Sequence, residues 1–571
     1  MQAEKPVNCS SRNFRGQGAL GQLHGISRKG NHMRRAPSDH PLPLHDLAAI
    51  RRMEAAAGCF PSGPSGPSLM AQAGLSVARM AQAIVPHART VWIACGPGNN
   101  GGDGLHAALH LHRWAQRTRG RTQVIVTHPG ADPDWPTGNP RFSEWQEALG
   151  QVLSQGISLH EAPPPVFDLA IDAVFGIGLS RPLEGRFGDW VARLREAPCP
   201  VLHVDVPSGL DAMTGMDALA PGGAHQSATA SGGPRHTITF LTLKPGLFTG
   251  IGRDLAGEVW LDALGLDAAS EQRPAAWLYA EPAAAALSRR AQASHKGHFG
   301  EVLVVGGQDI ALHGEGMTGA AVLAARAALH AGAGRVYACL LGSPAGDPVR
   351  FDPIAPELMF RQMNAVLHST LPDRAVVVCG CGAGQSMETV LPELLQRCTR
   401  MVLDADALNA IARQGSFMEL LQRRAPKKWI TVLTPHPLEA ARLLNTTTSE
   451  VMSNRLLAAQ TLADRTGAIA VLKGSGTVIA MPGNLPSINA SGGPALATAG
   501  TGDVLAGMLG AALSAPSIRS AQDAVAAVCH AVYQHGMLAD RWPKKCADQG
   551  LLHESPTLTA GRLAQAILPL F

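Results

Sequence analysis

Charge is sparse in this chain of 571 residues: Asp, Glu, Lys and Arg make up 16% of it and leave a net charge of +4. Aromatic residues are rarer still, at 4%. No basic stripe carries interleaved aromatics, so no nucleic-acid partner is expected. Uncharged apolar runs of about 18 residues are missing too, so no membrane partner is expected. The ten cysteines form no CxxC pair. That removes the usual zinc frameworks and leaves buried thiols of a reducing, cytoplasmic setting. Residues 1–39 are polar and basic without an apolar signal core, and read as a disordered or overlong N-terminal tail.

Glycine and apolar residues are what the chain has in quantity. Hydrophobic residues reach 46% and glycines number 62, a globular composition at a length that exceeds one core. Apolar, strand-like runs occur at Thr90–Cys95, Gln123–Thr127, Leu169–Val174, Val201–Val206 and His236–Leu241. Helical stretches separate several of them. A helix is expected over Leu44–Ala57 and another over Leu69–Ile84, with a Pro- and Gly-rich loop, Pro61–Pro67, between them. The pattern loosens around Asp267–Ser294 and then resumes from Glu301–Val305 to Ala468–Leu472. Strand, glycine turn, helix, strand is the signature of a parallel sheet wrapped by helices. The spacing therefore predicts two α/β domains in tandem, each of three layers.

In the first domain, the run Cys95 to Gly104 (CGPGNNGGDG) follows a strand and opens a helix. Glycines there let backbone N–H groups converge on an anion at the positive end of the helix dipole. A tight turn without a ligand is the alternative. Asp172 ends a strand before Gly176-Ile177-Gly178, where it suits either a cation or a turn. Asp205 ends the next strand, in DVPSGLD, and is a candidate general base at the sheet's carboxyl edge. Lys244, in LKPG, is either a crevice residue or a surface lysine. The stretch Ala218–Arg235 reads as a variable loop.

Taken in order, GPGNNGGDG, DAVFGIGLSRPLEG, DVPSGLDAMTG and TLKPGLFTGIGRDLAGEVWLDALGL resemble the NAD(P)H-hydrate epimerase domain over residues 40–266. The resemblance implies a Rossmann-like fold. It also implies that Asn99, Asn100, Gly101, Gly102 and Asp103, with Gly176, Ile177, Gly178, Leu179, Ser180, Arg181 and Pro182, hold hydrated NADH or NADPH. A potassium ion on Asn100, Asp172 and Ser208 is implied likewise, with Asp205 at the reacting nicotinamide.

In the second domain, ATAGTGDVLAG brings Gly500 and Gly502 to the start of a helix with Asp503 in its first turn. Such an anion hole stabilises a transferring phosphoryl group while the carboxylate activates a hydroxyl; a plain capping Asp is the alternative. Lys473 to Thr477 (KGSGT) end a strand with small residues and a cation. His436 also stands at a strand end, as a ligand contact or a satisfied structural histidine. Asp404 and Asp406 suit magnesium-assisted phosphate chemistry or a helix cap.

With SHKGHFGEVLVVGG, APELMF, LDADALN and TPHPLEAARLL, this set resembles the ribokinase-like superfamily, and more closely its NAD(P)H-hydrate dehydratases, over residues 278–571. Residues 267–277 are left as a linker. The resemblance implies Ala320, Gly384, His436 and Asp503 near the hydrated nucleotide, and Lys473, Gly474, Ser475, Gly476, Thr477 and Gly502 on ADP, with Mg2+. Three departures stand out: GCGAG at Gly380–Gly384 where GPGLG is usual, Leu438 in place of a glycine, and a long stretch at Gln308–Met317.

The expected activity is repair of hydrated NADH and NADPH. One half interconverts the R and S epimers, and the other dehydrates the S form at the expense of ADP, yielding AMP and phosphate. A homo-oligomer is expected. A kinase of a small vitamin-like alcohol and an N-terminal half that merely scaffolds partners are the rival readings.

Overall fold

The computed structural model describes residues 33–37, 40–59, 68–117, 121–129, 143–178, 182–217, 232–266, 268–280, 290–310, 314–342, 351–548 and 557–571. The expected loop Pro61–Pro67 and residues 218–231 lie outside that set.

The strands in chain order are β1 (Arg34–Ala36), β2 (Leu42–Leu44), β3 (Thr90–Cys95), β4 (Gln123–Thr127), β5 (Leu159–His160), β6 (Leu169–Ala173), β7 (Val201–Val204), β8 (Arg235–Phe240), β9 (Glu258–Asp262), β10 (Ala276–Tyr279), β11 (Glu301–Gln308), β12 (Arg335–Leu341), β13 (Met359–Phe360), β14 (Val376–Cys379), β15 (Arg400–Leu403), β16 (Ile430–Leu433), β17 (Ile469–Leu472), β18 (Val478–Ala480) and β19 (Ser487–Asn489). They form two sheets. The first has the order β1-β9-β8-β7-β6-β3-β4-β5 and is parallel except at β1. The second runs β13-β12-β11-β14-β15-β16-β17-β18-β19-β10-β2, parallel from β13 to β17. Both match the expected three-layer α/β architecture.

Alternation along the central strands explains the layers. In β11, Val302 and Val304 enter one core while Leu303 and Val305 enter the core on the opposite face. In β3, Val91, Ile93 and Cys95 face one side, and Trp92 and Ala94 the other. A strand buried on both faces must be apolar at every position, which is why these strands read as continuous hydrophobic runs.

Each sheet reverses direction once. The first grows from β3 through β4 to β5, then returns to the other side of β3 with β6, β7, β8 and β9. The second grows from β11 to β12 and β13, then resumes on the far side with β14. Crevices open at such switch points, at the carboxyl ends of the strands. The tips of β3 and β6, and of β11 and β14, are thus the places to look for sites.

Two expectations are corrected here. Arg34–Ala36, placed in the disordered tail, pair antiparallel with β9. Ala276–Tyr279, at the end of the expected linker, form β10, which pairs with β19 on one side and β2 on the other. Strands this short bury too few residues to leave a period in the sequence. Through β2, a segment close to the N-terminus completes the sheet of the second half. No helix among the described residues is long and apolar enough to cross a membrane.

The helix Thr501–Ser514 comes close to the second sheet and to the helix Thr318–His330 because glycines stand at its points of nearest approach. A Cβ on Gly507 would collide with the backbone carbonyl of Ala324, in the helix Thr318–His330, and one on Gly510 would lie 2.5 Å from Val378. Gly507→Ala gains about 1 kcal/mol of helix propensity. It is nevertheless expected to destabilise the protein by about 1–3 kcal/mol through overpacking. Chemical denaturation checks this; a gain in stability would contradict the close approach.

Candidate functional sites at the two sheet edges

The helix Asn99–Arg117 begins directly after β3, so only Gly96, Pro97 and Gly98 form a loop. This changes the meaning of the glycines. None of Gly96, Gly98, Gly101, Gly102 or Gly104 has a positive φ. Gly101, Gly102 and Gly104 lie inside the helix, where a Cβ would strike Gly96, Met70 or Ala173 respectively. They let the helix start press against β3 and β6, which brings Asn100 beside the tip of β6. Gly101 and Gly102 are buried in that packing and do not face the crevice.

A cleft of about 1210 Å³ opens where the switch point requires it. Asn99, Asn100, Asp103, Gly176, Ile177, Gly178, Pro182 and Asp205 all line it, together with Lys244 and Glu54. Leu179, Ser180 and Arg181 lie outside the described residues. Asp205 takes a left-handed backbone, φ 66°, a conformation Asp tolerates better than most side chains. Its Oδ1 accepts from Lys244 Nζ at 2.6 Å and from the Thr239 hydroxyl at 3.2 Å. Its Oδ2 is turned toward Gly176, as is Oδ1 of Asn100. Lys244 is 1% exposed and also donates to Thr239 and the Phe240 carbonyl. Of the two readings open for this lysine, burial leaves the crevice one. Burial and the neighbouring Asp205 charge push Asp103 well above the usual carboxylate range and raise Glu54 as well.

Asp172 and Ser208 stand just behind this cleft. Asp172 Oδ1 accepts from Ser208 Oγ at 2.5 Å, and Oδ2 accepts from Ser208 N at 2.9 Å and pairs with His203 Nδ1 at 2.8 Å. Burial alone would raise its pKa, but the His203 and Ser208 contacts outweigh it and hold the carboxyl below its ordinary value. Asp172 therefore stays charged and fixes the Ser208 hydroxyl. Both polar atoms of the Asn100 amide are buried without a hydrogen-bond partner. Such an orphaned amide costs about 1–3 kcal/mol unless something fills it. An amide, a carboxylate and a hydroxyl oxygen are donors a hard monovalent cation accepts, so the residues fit the potassium ion that the resemblance implies. His203 had no signal beyond its register opposite Asp172 in β7.

In the second half, Asp503 lies in the first turn of Thr501–Ser514, which starts after Gly500 at φ 89°. The chain turns sharply there, into a conformation that favours glycine. The tip of β15 carries Asp404, whose Oδ1 accepts from Lys473 Nζ at 2.8 Å and Thr434 Oγ1 at 2.7 Å. Asp404 occupies the N-cap position of the next helix but makes no capping bond, so the cap alternative does not hold for it. Gly502 borders Lys473 Nζ, which a Cβ there would meet at 3.5 Å. Asp406 Oδ2 accepts from the Gly384 N–H at 2.8 Å. Ala320 lies against Gly382, and Gly384 abuts the Gln308 side chain. Asp503, Lys473, Asp404, Asp406, Gly384 and Gly502 are thus joined at one edge.

His436 is partly accounted for by structure. Its Nδ1 accepts from Leu438 N at 3.2 Å and its Nε2 lies 3.3 Å from Glu439 Oε1, so it caps the helix Pro437–Leu444. The ring remains half-exposed on the Lys473 side, and burial followed by the Lys473 charge lowers its pKa. Leu438 is 44% exposed and helical, so this departure from the family pattern leaves the turn intact. The Cys381 departure matters more. Sγ of Cys381, Asp404 and Asp503 come together, their ligand atoms all within 4.8 Å. Burial, with both carboxylates nearby, pushes the thiol well above its ordinary value. It therefore stays protonated and acts as a weak donor between the two carboxylates. Cys381 was noted only as a departure; its contact with the carboxylates left no sequence signal. Burial, then the charge of Asp404, pushes Asp503 up to about 6.

Comparison with known proteins matches a separate family model to each half. The family model described as NAD(P)H-hydrate dehydratase matches residues 302–556, and the one described as YjeF-related protein N-terminus matches residues 66–246. The bifunctional NAD(P)H-hydrate repair enzyme Nnr of Escherichia coli is 35% identical over 492 residues, spanning 85% of this chain and 87% of its own length. Its namesake from Coxiella burnetii is 32% identical over 523 residues, spanning 89% and 96%. The solved ADP/ATP-dependent NAD(P)H-hydrate dehydratase from Bacillus subtilis, co-crystallized with ATP/Mg2+, is 28% identical and covers 48% of this chain and 90% of its own, with a TM-score of 0.38.

The raised Asp503 pKa has a consequence for stability. A carboxyl whose folded pKa exceeds its free value stabilises the fold while protonated, and loses that contribution as pH rises through about 6. Asp503→Asn removes the ionisation. Its Tm is expected to exceed that of the parent at pH well above 6 and to approach it only below the ordinary carboxylate value of about 4. Equal shifts at both would show that the carboxyl is not strained by its charge.

Proposed function

Since the chain belongs to the bifunctional NAD(P)H-hydrate repair enzymes, we propose a division of labour in which residues 40–266 epimerise hydrated NADH and NADPH and residues 278–571 dehydrate the S epimer with ADP, residues 267–277 lying between. The observation that carries it is the pairing, at each sheet edge, of a strand-end aspartate with a lysine: Asp205 with the buried Lys244, and Asp404 with the part-buried Lys473.

In the epimerase half the dinucleotide lies in the cleft along Asn99, Asn100, Asp103 and Gly176–Pro182. Lys244 holds Oδ1 of Asp205, which leaves Oδ2 to take and return a proton at the hydrated ring. Potassium on Asn100, Asp172 and Ser208 would supply positive charge beside the diphosphate. Asp172 keeps the Ser208 hydroxyl aimed by accepting a hydrogen bond from it.

In the dehydratase half the hydrated ring lies by Ala320, Gly384 and His436. Lys473–Thr477 and Gly502 hold the diphosphate of ADP. Hydroxide is a poor leaving group, so the ring hydroxyl is first phosphorylated. Asp503 takes the hydroxyl proton as its oxygen bonds to the β-phosphorus, and the bond to the bridging oxygen breaks to release AMP. Elimination then breaks the ring carbon–oxygen bond, a neighbouring ring proton leaves, and inorganic phosphate and NAD(P)H are the products. Mg2+ would offset phosphate charge during the transfer. Asp503 near 6 is well matched to this task, since a base works best with a pKa close to the operating pH.

The kinase alternative is not favoured, because the matching family model is that of a dehydratase. The scaffold alternative gives no reason for a buried lysine on Asp205. Free thiols throughout the described residues fit a reducing cytoplasm, and operation as a homo-oligomer completes the proposal.

With hydrated NADH, ADP and magnesium, Asp503→Asn is expected to slow recovery of reduced-nicotinamide absorbance and phosphate release by about 10²–10⁴-fold. Asp205→Asn is expected to slow epimerisation to a similar degree while S-form dehydration continues. Loss of both activities in either variant, or of neither, would overturn the assignment.

A further inference from the structure

The loop Lys473–Thr477 is braced from behind by the other half of the molecule. Arg455 opens the helix Arg455–Thr466 and is 1% exposed. No carboxylate of the described residues offsets its charge; burial alone lowers its pKa, to about 10. Taking a guanidinium out of water costs several kcal/mol unless its donors are satisfied. Here the partners are backbone carbonyls, one hydroxyl and the Met452 sulfur, which accepts from Nη1 at 3.6 Å. Nη2 donates to the carbonyls of Leu472, Lys473 and Gly476 at 3.3–3.4 Å, and Nε donates to Oγ1 of Thr249, in the N-terminal half, at 3.1 Å. The Thr249 hydroxyl donates onward to the Ser475 carbonyl at 3.4 Å, and Gly250 N donates to the same oxygen at 3.1 Å. Gly476, at φ 64°, has no room for a Cβ against the Phe248 carbonyl.

These contacts orient the loop. The carbonyls of Lys473, Ser475 and Gly476 are drawn toward the seam between the halves. In a trans peptide the following N–H points the opposite way, so the N–H groups of Gly474, Gly476 and Thr477 face away from the seam. Converging backbone donors of this kind make an anion nest, but only while their carbonyls are held. Holding them in advance reduces the ordering that a diphosphate must impose when it binds.

We infer that Arg455 and Thr249 are positioning residues, and that the N-terminal half, through Thr249 and Gly250, sets the affinity of the C-terminal half for the diphosphate of an adenine nucleotide. This rests on the reading of Lys473–Thr477 as the nucleotide loop. Neither residue touches the reacting atoms. Their effect falls on nucleotide binding in ground and transition states alike, and so on KM rather than kcat.

The test uses the full chain. Thr249→Val keeps the volume and removes the hydroxyl; Thr249→Ser restores it. Thr249→Val is expected to raise KM for ADP about threefold to tenfold, the worth of one or two hydrogen bonds, with kcat and epimerase activity close to the parent's. Thr249→Ser should return KM to near the parent value. Arg455→Lys, which keeps charge but loses the fork, is expected to raise KM further. A parallel fall in both activities and in Tm for Thr249→Val would mean a structural role only and overturn the inference. Lys473→Met separates the two readings. If it raises KM for ADP while Thr249→Val and Arg455→Lys do not, the brace is wrong and the loop assignment stands. If Lys473→Met also leaves ADP unaffected, both fall.

Discussion

Removing carboxylates from water at the ends of parallel strands is the constraint on which both halves are organised. A buried carboxylate must be neutralised, protonated or surrounded by donors, and each sheet edge uses a different mixture. Asp205 and Asp404 receive a lysine ammonium at 2.6 and 2.8 Å. Asp172 receives a serine hydroxyl, a backbone N–H and a histidine ring. Asp503 receives the least. It has only the Cys381 thiol and a share of the Lys473 field to oppose burial and Asp404, and its pKa rises to about 6. Asp172, with three donors, is held charged, while the poorly served Asp503 is ready to exchange a proton.

Much of the fold could be read from the sequence because parallel strands buried on both faces leave unbroken apolar runs, as in Val376–Cys379 and Ile469–Leu472. Candidate site positions were suggested by a related rule, since ligands gather at carboxyl strand ends and those ends carry Asp172, Asp205, Asp404, His436 and Lys473. What escaped had no local signature. The strands at Arg34–Ala36, Leu42–Leu44 and Ala276–Tyr279 are too short to show a period. Gly101, Gly102 and Gly104 were read as part of an anion-holding loop, yet they are helical and small because neighbouring backbone and side chains leave no space. Lys244 could not be told from a surface lysine until burial placed it on Asp205. Arg455 was invisible because most of its partners are carbonyls, which every residue possesses, and its Thr249 partner lies in the other half of the chain.

Cys381 illustrates how a change of residue type is accommodated without loss of the surrounding geometry. The segment Gly380–Gly384 turns through positive φ at Gly380, Gly382 and Gly384, so the path of the chain depends on those glycines and little on the side chain between them. The thiol that replaces a ring at this position adds a proton between two acids. Sulfur is a weak donor, which leaves Asp503 close to the pKa that burial gives it.

The pairing of Leu42–Leu44 with Ala276–Tyr279, and of the latter with Ser487–Asn489, imposes an order on biosynthesis. The chain emerges from its amino end, and domains generally fold as they appear. The first sheet has all its strands once Asp262 has been made. The segment Leu42–Leu44 pairs with Ala276–Tyr279, which gain their other neighbour only after Ser487–Asn489 exist, about two hundred residues later. Contacts so distant along the chain are slow to close. Until then a hydrophobic strand edge stands open at the margin of an otherwise finished half, so the nascent chain needs either the late strands or a chaperone to cover it.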